Sequence, residues 1–318
     1  MQFGQTDNLD SIDFRLPPDH AKNAKILSSK RGAIKTKVYV GCAKWDRPDW
    51  IGKVYPPDAK KKDFQAHYLK QFNSMEVNST FYHIFAPSVM QRWKEMAPEG
   101  FLYCPKFNNS ITHIKRLKNA EKQTEDFLAS IYELGDKLGP CFLQLHENFG
   151  PKNMQVVLDY LDTLPKNLDL FLEFRHKDWF AESAELEDFY DQIAKRKKGM
   201  VITDAAGRRD CLHMRLTVPK TFIRFVGNSL HPTDYKRIDY WMERLGDWME
   251  HGLEELYYFM HMHDELYSPE LVHYLITNLN KTYKLELEVP KMYTGEEAPA
   301  KKPVEKEKAQ VKKAKSKS

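Results

Sequence analysis

The chain has no apolar run approaching the roughly 18–20 residues that a membrane-crossing helix requires, and its opening, MQFGQTDNLDSIDF, lacks the basic-then-apolar order of an export signal. A membrane partner is therefore not expected, and the expected location is cytoplasmic. Cysteine is scarce: Cys42, Cys104, Cys141 and Cys211 lie far apart with no C-x-x-C spacing, which argues against a disulfide framework or a zinc knot. Three of the four fall inside runs of strand character, where a thiol behaves as a small apolar side chain, so reduced thiols are expected. No GxGxxG follows the first such run, and neither GxxxxGKS nor GxxxxGKT occurs, so dinucleotide and P-loop sites have no support. Positive charge is thin where nucleic-acid binding would need it. The formal net charge is +4, but residues 291–318 carry nine lysines against four glutamates, which leaves the rest of the chain at −1.

What the chain does have is enough apolar material for a large core, with 318 residues of which 42% are hydrophobic. Residues 1–36 are polar, broken by Pro17 and Pro18, and read as an N-terminal extension draped over the domain. Residues 289–318, rich in Lys, Glu and Ala, read as a disordered basic tail. Between them, over 37–288, eight β-rich runs alternate with segments of helical period. The runs are VYVGC (38–42), SMEVN (74–78), FLYCPKF (101–107), CFLQL (141–145), LDLFLEF (168–174), MVITD (200–204), TFIRFV (221–226) and LYYFMH (256–261). Only the segment after the sixth, AAGRRDCLHMRLTV, lacks helical period, and it is expected to be a loop or a short turn of helix. Eight units in about 250 residues fit the α/β class as a single-domain (β/α)8 TIM-type barrel.

Side chains two apart on a strand share a face, so a polar residue in step with apolar core residues points inward at the upper rim. The pattern recurs along the chain. Glu76 pairs with Asn78, Cys104 with Lys106, Gln144 with His146, and Glu173 and Arg175 follow Phe171. Asp204 is read in step with Ile202, Arg224 with Phe222, and His261 and His263 with Phe259. An unpaired inward charge costs several kcal/mol of desolvation, and barrel active sites form at this rim. The alternative is a mutually satisfied network that only holds the mouth together.

These residues carry a resemblance. Gly41–Pro56 (GCAKWDRPDWIGKVYP), Glu76–Tyr82 (EVNSTFY), Lys106 with Ile111–His113, Gly139–Leu145 (GPCFLQL), Glu173–Trp179 (EFRHKDW) and Asp204 together resemble the YecE-like family, also called domain of unknown function 72. The resemblance implies a (β/α)8 barrel and no settled activity. Val226 departs from the family pattern, where a His commonly follows the seventh-strand Arg, and so does Met260–His263, which replaces an Asn pair.

The catalytic candidates are Glu76 and Glu173 as an acid–base pair across the mouth, His113 and His176 as proton shuttles on the loops above it, and Asp204. Lys106, Arg175 and Arg224 would grip an anionic substrate, with Asn78, Gln144, Tyr82, Trp45 and Trp179 completing the substrate-binding set. The expected partner is a small polar, anionic or sugar-like ligand, and the expected function an enzyme using acid–base chemistry, with hydrolysis favoured. No cofactor is required by this reading. A second reading draws on the HMHDE segment: His261 and His263 with Glu173 or Asp204 would make a three-ligand metal site for a nuclease or isomerase. A third is a non-catalytic binding protein docked on nucleic acid or a ribosome through its lysine-rich tail.

Overall fold

Runs of alternating apolar residues make the strands, and apolar residues recurring three and four apart make the helices between them. The computed structural model of the protein describes residues 3–27 and 33–293. Helix α1 (Asn23–Leu27) precedes β1 (Lys37–Cys42). There follow α2 (Phe64–Gln71), β2 (Ser74–Val77), α3 (Ser79–Tyr82), α4 (Pro87–Met96), β3 (Leu102–Pro105), α5 (Glu121–Ile131), β4 (Cys141–Gln144), α6 (Met154–Thr163) and β5 (Leu170–Glu173). The last third is α7 (Ala184–Lys195), β6 (Gly199–Asp204), β7 (Lys220–Gly227), α8 (Pro232–Glu250), β8 (Glu255–Met262) and α9 (Ser268–Tyr283). Each strand lies within two residues of its expected ends, and the segment of poor helical period after β6 is a 3-10 turn, Ala206–Cys211. Helix α7 shows the local logic. The Ser183 hydroxyl accepts from the Leu186 N–H at 3.1 Å, and Leu186, Phe189, Tyr190 and Ile193 form its buried stripe. Among the described residues no helix is long and apolar enough to cross a membrane.

The closed eight-stranded barrel is not what the strands build. Six form one curled parallel sheet in the order β1-β8-β7-β6-β5-β4, while β2 and β3 pair separately. At the first break, side chains take the place of a backbone ladder. Asn73 accepts from the Val40 N–H at 2.7 Å and donates to the Val38 carbonyl at 2.8 Å. The Tyr68 hydroxyl accepts from the Cys42 N–H at 2.7 Å and lies 2.9 Å from the Ser74 carbonyl oxygen. Here the backbones are so close that a Cβ on Gly41 would run into that same Ser74 carbonyl. At the second break, Leu102 and Lys106 turn their N–H groups toward the β2 side, and Phe107 turns its own to Phe142 of β4. By that alternation Pro105 faces β4 with no N–H to give, and β4 is preceded by Pro140, so the seam keeps only isolated bonds.

The curl creates two apolar layers. Cys104, Phe142, Phe171, Val201, Phe222, Tyr257 and Phe259 fill the concave face, and a larger cluster fills the space between sheet and helices. The four cysteines are buried free thiols. The N-terminal segment packs on the outside. Asn23 donates to the Met214 carbonyl and accepts from the Leu216 N–H, Asp19 pairs with Arg244 at 2.8 Å, and Phe14 is buried. Of the expected basic tail, residues 294–318 lie outside the described residues.

Candidate functional site

On five neighbouring strands the last inward apolar residue is followed, two positions on, by a polar one. Phe142 leads to Gln144, Phe171 to Glu173, Val201 to Thr203, Phe222 to Arg224, and Phe259 to His261. Cys104 of β3 leads in the same way to Lys106, one residue past the strand, and Glu76 of β2 closes the group. The carboxyl ends of the strands therefore carry a polar tier directly above an apolar floor.

Arg224 is the centre of that tier. Its Nε and Nη2 donate to Glu76 Oε2 and Oε1, both at 2.8 Å, and its Nη1 donates to both oxygens of Glu173 at 3.0 and 2.9 Å. Both carboxylates and the guanidinium are fully buried. Glu173 also accepts from Arg175 Nε at 2.9 Å, Gln144 Nε2 at 2.8 Å and Thr203 Oγ1 at 3.2 Å. Glu76 accepts from Asn78 Nδ2 at 2.8 Å and lies 3.0 Å from His261 Nε2. The other ring nitrogen of His261 is 3.8 Å from Glu265, which is itself fixed by the Ser268 hydroxyl. At the rim, Lys106 Nζ donates to Gln144 Oε1 at 3.0 Å and lies 4.1 Å from the Phe81 ring centroid.

The electrostatics set the two paired carboxylates of this tier apart from Lys106. Burial alone would raise the pKa of Glu76, but Arg224 and His261 outweigh it and hold the carboxyl well below its usual range. Glu173 is likewise driven up by burial and overruled by Arg175, Arg224 and Lys106, to about 2. Burial disfavours protonated His261, yet Glu76 beside it raises its pKa on balance. Lys106 goes the other way: burial, with Arg224 adding to it and Glu173 opposing, brings its amine down to about 7. His113 is pushed down to about 4 by burial and then by Lys106. Its Nδ1 meets the Thr112 hydroxyl at 2.8 Å, and its ring packs against Phe81 and His146.

The structure thus brings together Glu76, Asn78, Lys106, Gln144, Glu173, Arg175, Arg224 and His261, with His113 and the exposed Tyr82 at the edge. It places four expected site residues elsewhere. Asp204 lies level with Phe225, not with the inward Arg224, so it faces α8, where Arg209, Arg237 and Trp241 hold its carboxylate. Trp179 is fully buried against Phe174 and Phe189, its indole N–H donated to the Phe149 carbonyl at 2.6 Å, because the turn carrying it folds back under α7. His176 accepts from the Asp178 N–H at 3.3 Å and caps that same turn. Trp45 packs edge-on against Trp93 at 4.9 Å, within the layer outside β3.

The two histidines proposed as metal ligands part company, since His261 joins the network and His263 lies past the end of β8, partly exposed. Among the described residues no three His, Cys, Asp or Glu side chains converge as a metal site. Sequence reasoning missed Thr203 and Glu265. Thr203 was legible as the residue two beyond Val201, and Glu265 as the partner four beyond His261. It also missed Phe3, whose ring lies 4.1 Å from the Arg175 guanidinium and 4.8 Å from that of Arg208.

Comparison with known proteins follows the same span. A family-wide profile described as "Protein of unknown function DUF72" matches residues 39–294. The UPF0759 protein YecE of Escherichia coli is 29% identical over 263 residues, covering 77% of this chain and 93% of that protein. The UPF0759 protein YunF of Bacillus subtilis is 27% identical over 163 residues, covering 49% of this chain and 55% of that one. Among solved structures, a DUF72 family protein of Enterococcus faecalis superposes with a TM-score of 0.61 at 16% identity, over 77% of this chain and 98% of its own. Another, from Thermotoga maritima, gives 0.58 at 22% identity over 71% and 92%. These last two likenesses speak to the fold alone.

Proposed function

Because the chain belongs to the DUF72 family, and its polar tier coincides with the matched span, we propose that this tier is the site of an enzyme that binds a small anionic ligand and moves a proton on it, with Lys106 as the base. The observation that carries this reading is the division of labour around Arg224. Both glutamates are already claimed by guanidinium groups, so they are poor proton donors or acceptors near neutral pH. Lys106, brought down to about 7, can exchange a proton there. The hydrolysis favoured from sequence then runs through an amine base acting on water or substrate, not through a pair of glutamates. Arg175, partly exposed at 15% of its side-chain surface, is placed to receive a carboxylate or phosphate, and Phe81 with Tyr82 forms the apolar side of the mouth.

A thermal-shift panel of small carboxylates, sugar acids and phosphate esters tests this at pH 6, 7 and 8. The expected result is at least one anion that raises Tm in the unaltered protein, with the rise cut to less than a third in Arg175→Ala and in Lys106→Met. Equal shifts in all three proteins, or no shift with any anion, would overturn the proposal.

A further inference from the structure

The Lys106 amine has unusual company for a surface-derived lysine. It is only 8% exposed, and its hydrogen-bond partner is the uncharged Gln144 amide, although Glu173 sits one bond further along the same chain of contacts. Phenyl rings line its approach, Phe81 at 4.1 Å and Phe142 at 5.8 Å from Nζ. Two arginines share the cluster through Glu173, and Arg175 is the one that reaches the mouth. A buried lysine set beside other cations and among aromatic rings is a lysine prepared to act as a nucleophile. The aromatic walls would shield a carbon–nitrogen double bond from water, and a guanidinium alongside is suited to a carboxylate on the same small molecule.

We propose that Lys106 condenses with the carbonyl carbon of a small keto or aldehyde acid, held by its carboxylate on Arg175, to form an imine. The Nζ lone pair forms the new carbon–nitrogen bond while the carbonyl π pair moves to oxygen. One proton passes from nitrogen to that oxygen, giving a carbinolamine. The hydroxyl then takes up a proton and leaves as water as the nitrogen lone pair closes the double bond, and the nitrogen gives up its second proton in return, with no net oxidation or reduction. This rests on the anion-binding reading above and adds the substrate class and a covalent step. It also makes use of the near-neutral amine, since an uncharged amine is the form that attacks.

Glyoxylate with sodium cyanoborohydride, which reduces an imine to a stable secondary amine, followed by peptide mapping of the full chain, decides it. Lys61 and Lys122, whose side chains are each 75% exposed, are internal references. Lys106 is expected to be labelled at least tenfold faster than either at pH 7, with a half-maximal rate near pH 7, and Arg175→Ala is expected to slow Lys106 without changing Lys61. Faster labelling of a residue so much less accessible cannot come from exposure. Labelling confined to surface lysines overturns the imine. Glycolate, which has the carboxylate but no carbonyl, separates the two proposals. If it still raises Tm in an Arg175-dependent way while Lys106 stays unlabelled, the covalent step fails and the anion site stands. If neither is seen, both fail.

Discussion

Glu173 and Asp204 invite comparison, since each is a fully buried carboxylate at the carboxyl end of a strand and each is held by arginines. Glu173 lies on the concave face, where its partners Arg175, Gln144 and, one bond further on, Lys106 lead out to the mouth. Asp204 lies on the convex face, sealed by Arg237 and Trp241 of α8, with Arg209 closing the remaining side. The two clusters use the same chemistry for different ends. A closed set of ion pairs between sheet and helix fixes packing, whereas a set that ends in a half-satisfied amine leaves something for a ligand to engage.

The largest effect should come from removing the arginine at the heart of each cluster. Arg224→Met takes from two buried glutamates the guanidinium they share, leaving Glu173 to Arg175 and Glu76 to His261, and Arg237→Met leaves Asp204 to Arg209, so each is expected to cost about 3–5 kcal/mol in urea unfolding at pH 7. Only Arg224→Met should also move the pH profile of Lys106 labelling, upward, because a neighbouring cation is gone. Equal movement in both variants would erase the distinction between the clusters.

Lys106 offers the next largest. The folded protein releases its proton near pH 7, whereas the unfolded chain keeps it to about 10.5, so folding stability should rise with pH across that window. Lys106→Met is expected to abolish a rise of about 2–4 kcal/mol, read from urea midpoints between pH 7 and 10.

Glu173 has the opposite dependence. Its folded value of about 2 lies below the ordinary 4.5, so its contribution is complete above pH 4.5 and is lost as pH falls toward 2. Glu173→Gln should flatten that acid limb by about 2 kcal/mol and also weaken the anion response. Asp204→Asn should flatten its own acid limb and leave the anion response intact; loss of that response would place Asp204 functionally with the mouth.

The smallest effect concerns the cover over the mouth. Phe3→Ala removes a cation–π contact worth about 0.5–1 kcal/mol and uncovers Arg175, so stability should change little while Lys106 labelling by glyoxylate speeds up several-fold. An unchanged rate would mean that Phe3 does not screen the mouth.

Much of this was legible in the chain. Strand number and bounds followed from alternation and spacing, though not the sheets the strands build, and the polar tier followed from the two-residue step beyond Phe171, Phe222 and Phe259. The same rule misplaced Asp204 because Ile202 was taken as inward, when the inward residue is Val201. Both are β-branched and apolar in a strand buried on both faces, so the sequence of β6 carries no alternation to choose between them. Trp179 was misread for a related reason, since an aromatic on a loop above a sheet can turn toward the mouth or back under a helix with the same local spacing. The break between β1 and β2 depended on Asn73 and Tyr68 reaching backbone groups of β1, which no strand pattern reveals.

By itself, then, the sequence determined what periodicity and residue type encode: eight strands, their helices, and a rim of charge above an apolar floor. The tertiary structure decided which charges meet. Arg224 finds Glu76 across 148 positions of chain and Glu173 across 51, and Lys106 acquires its near-neutral amine only once folding has buried it, with Arg224 nearby. Local alternation sets which way a side chain points, but desolvation and Coulomb pairing act through space, so the chemical state of the site belongs to the fold.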